Sequence, residues 1–336
     1  YLRKWLMIHC RVLAVVGFHP YAFLPYTGVK TAVLFLEKRR PYELESIDYS
    51  IAFTTSSEPG KDCSGRVSGK SDYDNIGLAL LEFFVNENRP WANTDNMQSN
   101  ISLDIVKASE VISYNRLDPE YYSHDVRTLY FDLHSKSHRR LGDIVSRTVK
   151  RFSRGYAKEI DYIDISSVDN RTGIVFPTRM DAAEAPSRAT YIVQAMDILV
   201  STVRPERNVV AFVTKTGDVP IIASNGFCLL RPKGIAPELI FAYCKTDAFR
   251  KLLARSATAS MYPTVTDRDI LEMPFIQPDI EEIDAVVAKM KEGLKMIEMA
   301  RKSITQAVAK IETVIMRNGD HENNAQVNMP GLFDIL

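Results

Sequence analysis

The chain has 336 residues, and its 42 Lys and Arg balance 42 Asp and Glu, so the formal net charge at pH 7 is zero. Neutrality excludes a histone-like protein that holds nucleic acid through a global positive field, but not one with a local basic face. No apolar run approaches the roughly 18 to 20 residues that cross a bilayer. Cys10, Cys63, Cys228 and Cys244 lie scattered without CxxC spacing, which argues against a disulfide framework or zinc site and fits a reducing cytoplasm.

Tyr1 to His9 reads as the end of a helix with a basic edge at Arg3 and Lys4. A chain that opens on Tyr1 inside helical sequence is expected to be the C-terminal part of a longer protein. Val12 to Val16 is a continuous apolar run, the pattern of a strand buried on both faces, and Ala32 to Leu36 reads as a second buried strand. A loop with Pro20 and Pro25 joins them, and together they look like the closing edge of an α/β sheet. Thr54 to Lys70, rich in Ser, Gly and Lys, reads as an exposed loop or linker. Ser71 to Glu110 carries seven Asp and Glu against two Lys and Arg, with helices expected at Asn75–Phe84 and Ser102–Ser113. Tyr121 to Ile160 reverses that balance with nine Lys and Arg against four Asp and Glu, which places a domain boundary near residue 116.

From Ser137 onward, short strands alternate with turns. Tyr162–Ser167 reads as a strand, Asp169–Gly173 as a turn, and Ile174–Phe176 follows. Ile198, Val200 and Val203 predict a strand, Arg204-Pro205-Glu206-Arg207-Asn208 a polar turn, and Val209–Val213 the returning strand. Two arginines, Arg204 and Arg207, therefore sit at a hairpin tip. Phe227–Leu230 is a further strand, and one helix is expected from Pro237 to about Ala254, with Lys251 and Arg255 near its C-terminal dipole. Ile280, Ile283, Val287, Met290, Leu294, Ile297, Ile304, Val308, Ile311 and Ile315 recur at steps of three and four, with Arg301 the polar interruption. That heptad seam predicts a rod of roughly 50 Å that needs a partner helix, in this chain or another. Glu322 to Met329 reads as a polar tail.

Gly65-Arg66-Val67-Ser68-Gly69-Lys70-Ser71 ends like a phosphate loop, but its glycines stand one residue too close for that cradle, so it reads as an ordinary loop. Asn88-Arg89-Pro90-Trp91 has an arginine where an Asn-Pro-Pro-aromatic motif needs proline, and reads as coincidence. With no glycine-rich cofactor turn, HExxH, Gx[ST]xG or metal-spaced His and Cys, no catalytic residue and no metal site is assigned.

The densest basic segment is Arg147–Tyr156. Its Lys150, Arg151 and Arg154 suit phosphate neutralisation, and Phe152 and Tyr156 suit stacking, although a solvated loop anchored by its aromatics has the same composition. Arg204 and Arg207 have the guanidinium fork that pairs with guanine O6 and N7, yet a turn that merely needs polar residues explains them too. Arg188 in Ala185-Pro186-Ser187-Arg188-Ala189 joins the candidates. So do Thr258, Ser260 and Tyr262, in a run of small residues (Ser256–Pro263) that permits close approach to a phosphate or groove wall, or serves only as a helix exit.

Two resemblances lie in series. Arg3-Lys4-Trp5-Leu6, Arg11-Val12-Leu13-Ala14-Val15-Val16 and Phe23-Leu24-Pro25-Tyr26-Thr27-Gly28-Val29-Lys30-Thr31 running on to Lys38 resemble the last strands of the adenine-N6 DNA methyltransferase domain of type I modification subunits and their fused relatives. The resemblance covers about the first 55 residues and implies the edge of a Rossmann-like sheet. In that family an aromatic just before the final strands stacks on the flipped adenine; Phe23 matches it, with Tyr26 as the alternative. The family's cofactor-binding and Asn-Pro-Pro-aromatic motifs lie upstream of this segment. S-adenosylmethionine is therefore implied for an upstream domain, no cofactor is expected on this chain, and whether the chain itself is an enzyme stays open.

The second resemblance runs from Arg116-Leu117-Asp118-Pro119-Glu120-Tyr121-Tyr122 to about Arg317. Leu141-Gly142-Asp143-Ile144, Tyr162-Ile163-Asp164-Ile165-Ser166, the Ala185–Ala189 and Met196–Pro205 block, Tyr262-Pro263 and the heptad helix are its markers. In that order they resemble one target-recognition domain and one spacer helix of a type I restriction-modification specificity subunit. Family members carry two such units, each reading half of a bipartite site; this chain has one.

The expected architecture is α/β: a methyltransferase edge (1–55), a linker and helical connector (56–115), an α+β target-recognition domain (116–278), a long coiled-coil helix (279–318) and a tail (319–336). The resemblance implies sequence-specific recognition of double-stranded DNA in a cytoplasmic restriction-modification adenine-N6 methyltransferase. Its expected partners are DNA, a methyltransferase domain or subunit, and a second copy or another helix through Ile280–Ile315, with no membrane. The alternative is a scaffold subunit that assembles through its coiled coil without reading DNA.

Overall fold

The computed structural model describes residues 1–39, 48–87, 100–146, 149–214, 217–257 and 262–323, with the side chains of the last helix described to residue 316. The Asn88–Trp91 motif, Arg147, Thr148, Thr258, Ser260 and the tail beyond residue 323 lie outside the described residues. Residues 1–277 form one compact unit and 278–336 a second.

The first sheet is built from β1 (Cys10–Gly17), β2 (Ala32–Lys38), β3 (Ser50–Thr55) and, after a hairpin of β4 (Pro59–Lys61) and β5 (Val67–Ser71), β6 (Asp104–Lys107). Its order is β2-β1-β3-β6, with β1 and β3 parallel and the outer strands antiparallel to them. Helix α1 (Leu2–His9) and α3 (Ala108–Tyr114) contribute Met7, Ala108 and Val111 to the core on one face, with Val12, Val15, Ile51 and Phe53. On the other face Ile76, Leu80 and Phe84 of α2 (Tyr73–Asn86) meet Leu13, Ala14, Val16 and Ala52. Strict alternation fails in β1 because the register slips between Val12 and Ala14, a bulge that gives Leu13 and Ala14 to the same core.

Three sequence expectations change here. Strand β2 is an edge strand, not a buried one: Val33, Leu34, Phe35 and Leu36 are 36–42% exposed, because among the described residues only β1 pairs with it. Apolar run length does not distinguish central from edge strands. The expected loop at Thr54–Lys70 begins inside β3 and contains the β4–β5 hairpin. Its entry is pinned by Asp72, which accepts from Ser56 Oγ at 2.6 Å, Ser57 N at 2.7 Å and Glu58 N at 3.1 Å. The expected helix at Ser102–Ser113 is half strand, since β6 pairs Val106 with Ile51 before α3 starts.

Helix α4 (His124–Lys136), β7 (Arg139–Arg140) and β8 (Val145–Ser146) lead into a two-sheet sandwich. One sheet, in the order β10-β9-β14-β11, uses β9 (Glu159–Ile163), β10 (Thr178–Asp181), β11 (Ala189–Val193) and β14 (Ile221–Ser224). The other, in the order β13-β12-β15-β8, adds β12 (Ile198–Ser201), β13 (Val210–Phe212) and β15 (Phe227–Pro232). Ile163, Val193, Ile221 and Ala223 of the first face Leu199, Ala211, Phe227 and Leu229 of the second in one core. The outer face of the second sheet is covered by α5 (Pro237–Cys244), whose Phe241 stacks on Phe212 with centroids 5.3 Å apart.

The single helix expected from Pro237 is two: α5 ends at Cys244, and α6 (Asp247–Ser256) restarts where Thr246 Oγ1 accepts from Phe249 N at 3.1 Å. Tyr162–Ser167 is likewise only part strand, because Asp164 Oδ1 accepts from Ser167 N at 2.9 Å and turns the chain. Helix α7 (Asp267–Leu271) and β16 (Pro274–Phe275) close the unit, β16 pairing with β7. The second unit is α8 (Ile280–Asn323), 44 residues or about 66 Å long. Among its heptad residues Ile304, Val308, Ile311 and Ile315 are 50–65% exposed. No described helix is long and apolar enough to cross a membrane.

Candidate nucleic-acid interface

Strands β12 and β13 pair antiparallel, Ile198 opposite Phe212 and Val200 opposite Val210, and the tip between them carries Arg204 and Arg207. Arg204 and Asn208 both adopt left-handed backbone, φ 51° and 49°, on either side of a 3-10 turn at Pro205–Arg207. Asn tolerates that conformation; an arginine held there costs about 1 to 2 kcal/mol. It is held by its own N–H, which donates to Pro263 O at 2.7 Å, and by burial of Pro205. The Arg204 guanidinium lies 5.3 Å from the ring centroid of Tyr262, itself 59% exposed. Tyr262 is thus brought to the hairpin tip from 58 residues away in sequence.

The basic segment runs along the β11 edge: Ile192 N donates to Lys150 O at 3.0 Å and Phe152 N to Thr190 O at 2.8 Å. Its two aromatics separate in role. Phe152 packs on the core formed by Ile160, Tyr162 and Ile222, whereas Tyr156 is 51% exposed. Arg154 reaches back to donate to Ala185 O at 3.2 Å. Arg188, at the start of β11, accepts through its carbonyl from Asn225 N at 2.8 Å, and the adjacent Gly226 O accepts from Thr202 N at 2.9 Å. The Ser224–Gly226 turn therefore links Arg188 to the strand that carries Arg204.

Among the described residues no carboxylate lies within 4.0 Å of Lys150, Arg151, Arg154, Arg188, Arg204 or Arg207. Two other arginines of the same unit are paired with carboxylates. Arg179 bonds Asp161 at 2.6 Å and Asp218 at 2.7 Å, contacts that raise its pKa. Arg231 bonds the buried Asp197 at 2.7 Å.

Phe23 and Tyr26 stand apart from these cations in sequence, on the loop after β1. Phe23 is 44% exposed and meets Phe18 edge-on at 5.7 Å; Tyr26 is 91% exposed. The β4–β5 hairpin buttresses this loop: Lys61 Nζ donates to Leu24 O at 2.8 Å. Gly65 (φ +82°) sits so close that a Cβ would come within 2.9 Å of Pro25 N. Its glycine serves a tight turn and a close approach.

Sequence reasoning missed how α6 ends. Arg116 Nη2 donates to Ala257 O at 2.7 Å, and Nη1 donates to Ser256 O at 3.3 Å. Arg255 instead turns inward, only 6% exposed, with its guanidinium 3.7 Å from the Tyr121 centroid and 4.3 Å from that of Tyr130. Burial lowers its pKa, against the favourable field of those tyrosines. No local pattern announces a cap supplied from about 140 residues away. Beside this lock a cleft of ≈ 550 Å³ is lined by Lys30, Arg116, Glu120, Glu206, Arg250 and Arg255.

No group of three His, Cys, Asp or Glu among the described residues is placed to hold a metal.

No family model and no curated protein matches the chain. Among solved structures it is similar to the HsdS subunit from Thermoanaerobacter tengcongensis, with 27% identity and a TM-score of 0.41 over 57% of this chain and 50% of that one. A structure described as showing complex assembly and conformational transition of the type I R-M system gives 27% identity and a TM-score of 0.42, over 57% and 50%. The type IIG restriction endonuclease BpuSI gives 8% and 0.38, over 86% of this chain and 40% of that one. The chain thus spans half the length of the first two.

Proposed function

We propose that this chain reads the sequence of duplex DNA as the recognition part of a cytoplasmic restriction-modification adenine-N6 methyltransferase. The observation that carries the reading is the set of carboxylate-free cations along the β11 edge and the β12–β13 tip, with Tyr156 and Tyr262 exposed beside them. In this reading Lys150, Arg151 and Arg154 contact phosphates and set register, while Arg188, Arg204 and Arg207 contact base edges. Thr258 and Ser260, outside the described residues, are further candidate contacts. Residues 1–55 form the edge of a methyltransferase fold whose upstream part binds S-adenosylmethionine, and Phe23, or alternatively Tyr26, stacks on the extruded adenine. The long helix fixes the distance to a partner.

Exposed Ile304, Val308, Ile311 and Ile315 also favour the second reading, a scaffold that assembles through α8 without reading DNA. Selection from a randomised duplex pool on the immobilised chain separates the two. A reader enriches a short motif, and Arg204→Ala or Arg207→Ala relaxes one or two of its positions. Recovery of the starting pool without enrichment leaves only the scaffold.

A further inference from the structure

We propose that the Asp169–Gly173 turn is a second DNA-facing element and that Arg171 contacts a backbone phosphate beside Arg207. The inference rests on the DNA-reading function above and adds a contact that the turn's sequence alone did not suggest.

The turn is rigid and welded to the hairpin tip. Gly173 N donates to Asp169 O at 2.8 Å, and the Asp169 carboxylate accepts from Arg171 N at 3.0 Å and Thr172 Oγ1 at 2.5 Å. Gly173, at φ +74°, is wedged so tightly that a Cβ would come 2.4 Å from Phe241 and 2.9 Å from Val210 O. The Asn170 side chain donates to Arg207 O at 2.7 Å, so the residue next to Arg171 touches the tip directly. From the other side, half-buried Lys245 at the end of α5 donates from Nζ to Asn170 O at 2.5 Å. Neighbouring residues in a chain lie about 3.8 Å apart at Cα, so the flexible Arg171 and Arg207 side chains share one patch of surface.

Both are exposed, and among the described residues neither has a carboxylate within 4.0 Å. The Asp169 carboxylate is bonded within its own turn and offsets part of the charge of Arg171 and Lys245, and exposed Glu206 precedes Arg207 in the chain. Arg171 and Arg207 project from the turn and the tip with no ion-pair partner among the described residues, which leaves both guanidinium groups free to take a phosphate. A guanidinium on a turn tied to the tip suits the repeating charge of a DNA strand.

The test is duplex affinity against salt for the full chain, with Arg171→Ala and Arg171→Lys. Loss of one phosphate contact reduces the slope of log K against log salt by about 0.9 and weakens binding roughly eightfold at 0.1 M salt. The selected motif stays unchanged and Arg171→Lys retains the slope. Arg171→Ala binding like the wild type overturns the inference and leaves DNA reading intact; an altered motif overturns the phosphate assignment. Absence of any duplex binding by the wild-type chain removes DNA reading and this contact together.

Discussion

The salt dependence of DNA binding counts phosphate contacts, and it distinguishes the roles assigned to the arginines. Four cations are placed on phosphate: Lys150, Arg151, Arg154 and Arg171. At about 0.9 per neutralised phosphate on B-form DNA they give a slope of about −3.6, so affinity falls roughly 150-fold between 50 and 200 mM salt. Arg188, Arg204 and Arg207 add little to that slope while they contact bases. Were all three also clamping phosphates, the slope would steepen to about −6.3 and the loss to roughly 6000-fold. Fluorescence anisotropy of a labelled duplex of about three helical turns, titrated at five salt concentrations, measures it. A slope shallower than about −1 refutes the interface itself, because no arrangement of these cations on phosphates gives so little counterion release. A slope near −6 refutes base reading by the arginines.

Two further predictions concern the frame that holds the interface. Asp197→Asn breaks the bidentate contact with Arg231 (2.8 and 2.7 Å) and costs about 2 to 3 kcal/mol in urea unfolding, below the usual range for a buried pair because the Arg231 side chain is 21% exposed. Burial alone raises the Asp72 pKa, but the hydrogen bonds from Ser56, Glu58 and Ser57 outweigh it and hold it below the ordinary aspartate value of 3.8. The stability Asp72 contributes is therefore complete above that value and fades as pH falls through its lower folded pKa; urea midpoints between about pH 5 and 2.5 decline less in Asp72→Asn than in the wild type.

The hairpin, α2 and the long helix were legible because their signals are local. Ile198 and Val200 precede a polar turn, Asn75–Phe84 is amphipathic, and the Ile280–Ile315 seam keeps its step over five heptads. What failed depended on distant partners. Ala32–Leu36 has the composition of a central strand, and only the pairing pattern makes β2 an edge. Glu238–Ala254 holds no proline or glycine to break it, yet the Thr246 hydroxyl supplies a new cap. At the site, the basic segment and the tip arginines were visible as residue types, but not their arrangement. Tyr262 under Arg204 and Asn170 against Arg207 are contacts across 58 and 37 residues. No period in the sequence encodes them.

A chain with equal numbers of acids and bases still presents an uncompensated cationic edge because its two signs of charge are employed differently. Several carboxylates in the recognition part are held by backbone. Asp143 accepts from Arg140 N at 2.8 Å, Asp164 from Ser167 N at 2.9 Å, Asp181 from Ala183 N at 2.8 Å, and Asp269 from Thr266 N at 2.7 Å. Each short Asp side chain closes a turn and is tethered there, unable to swing towards a neighbouring cation. Asp161 and Asp218 are spoken for by Arg179, and Asp197 by Arg231. Among the cations left over are long, flexible Lys and Arg on the β11 edge, the hairpin tip and the 169–173 turn. Net charge sums all these groups equally, whereas a phosphate backbone meets only those that project. Aspartates held in turns do not offset cations that project elsewhere, which is why composition gave no sign of a local positive edge.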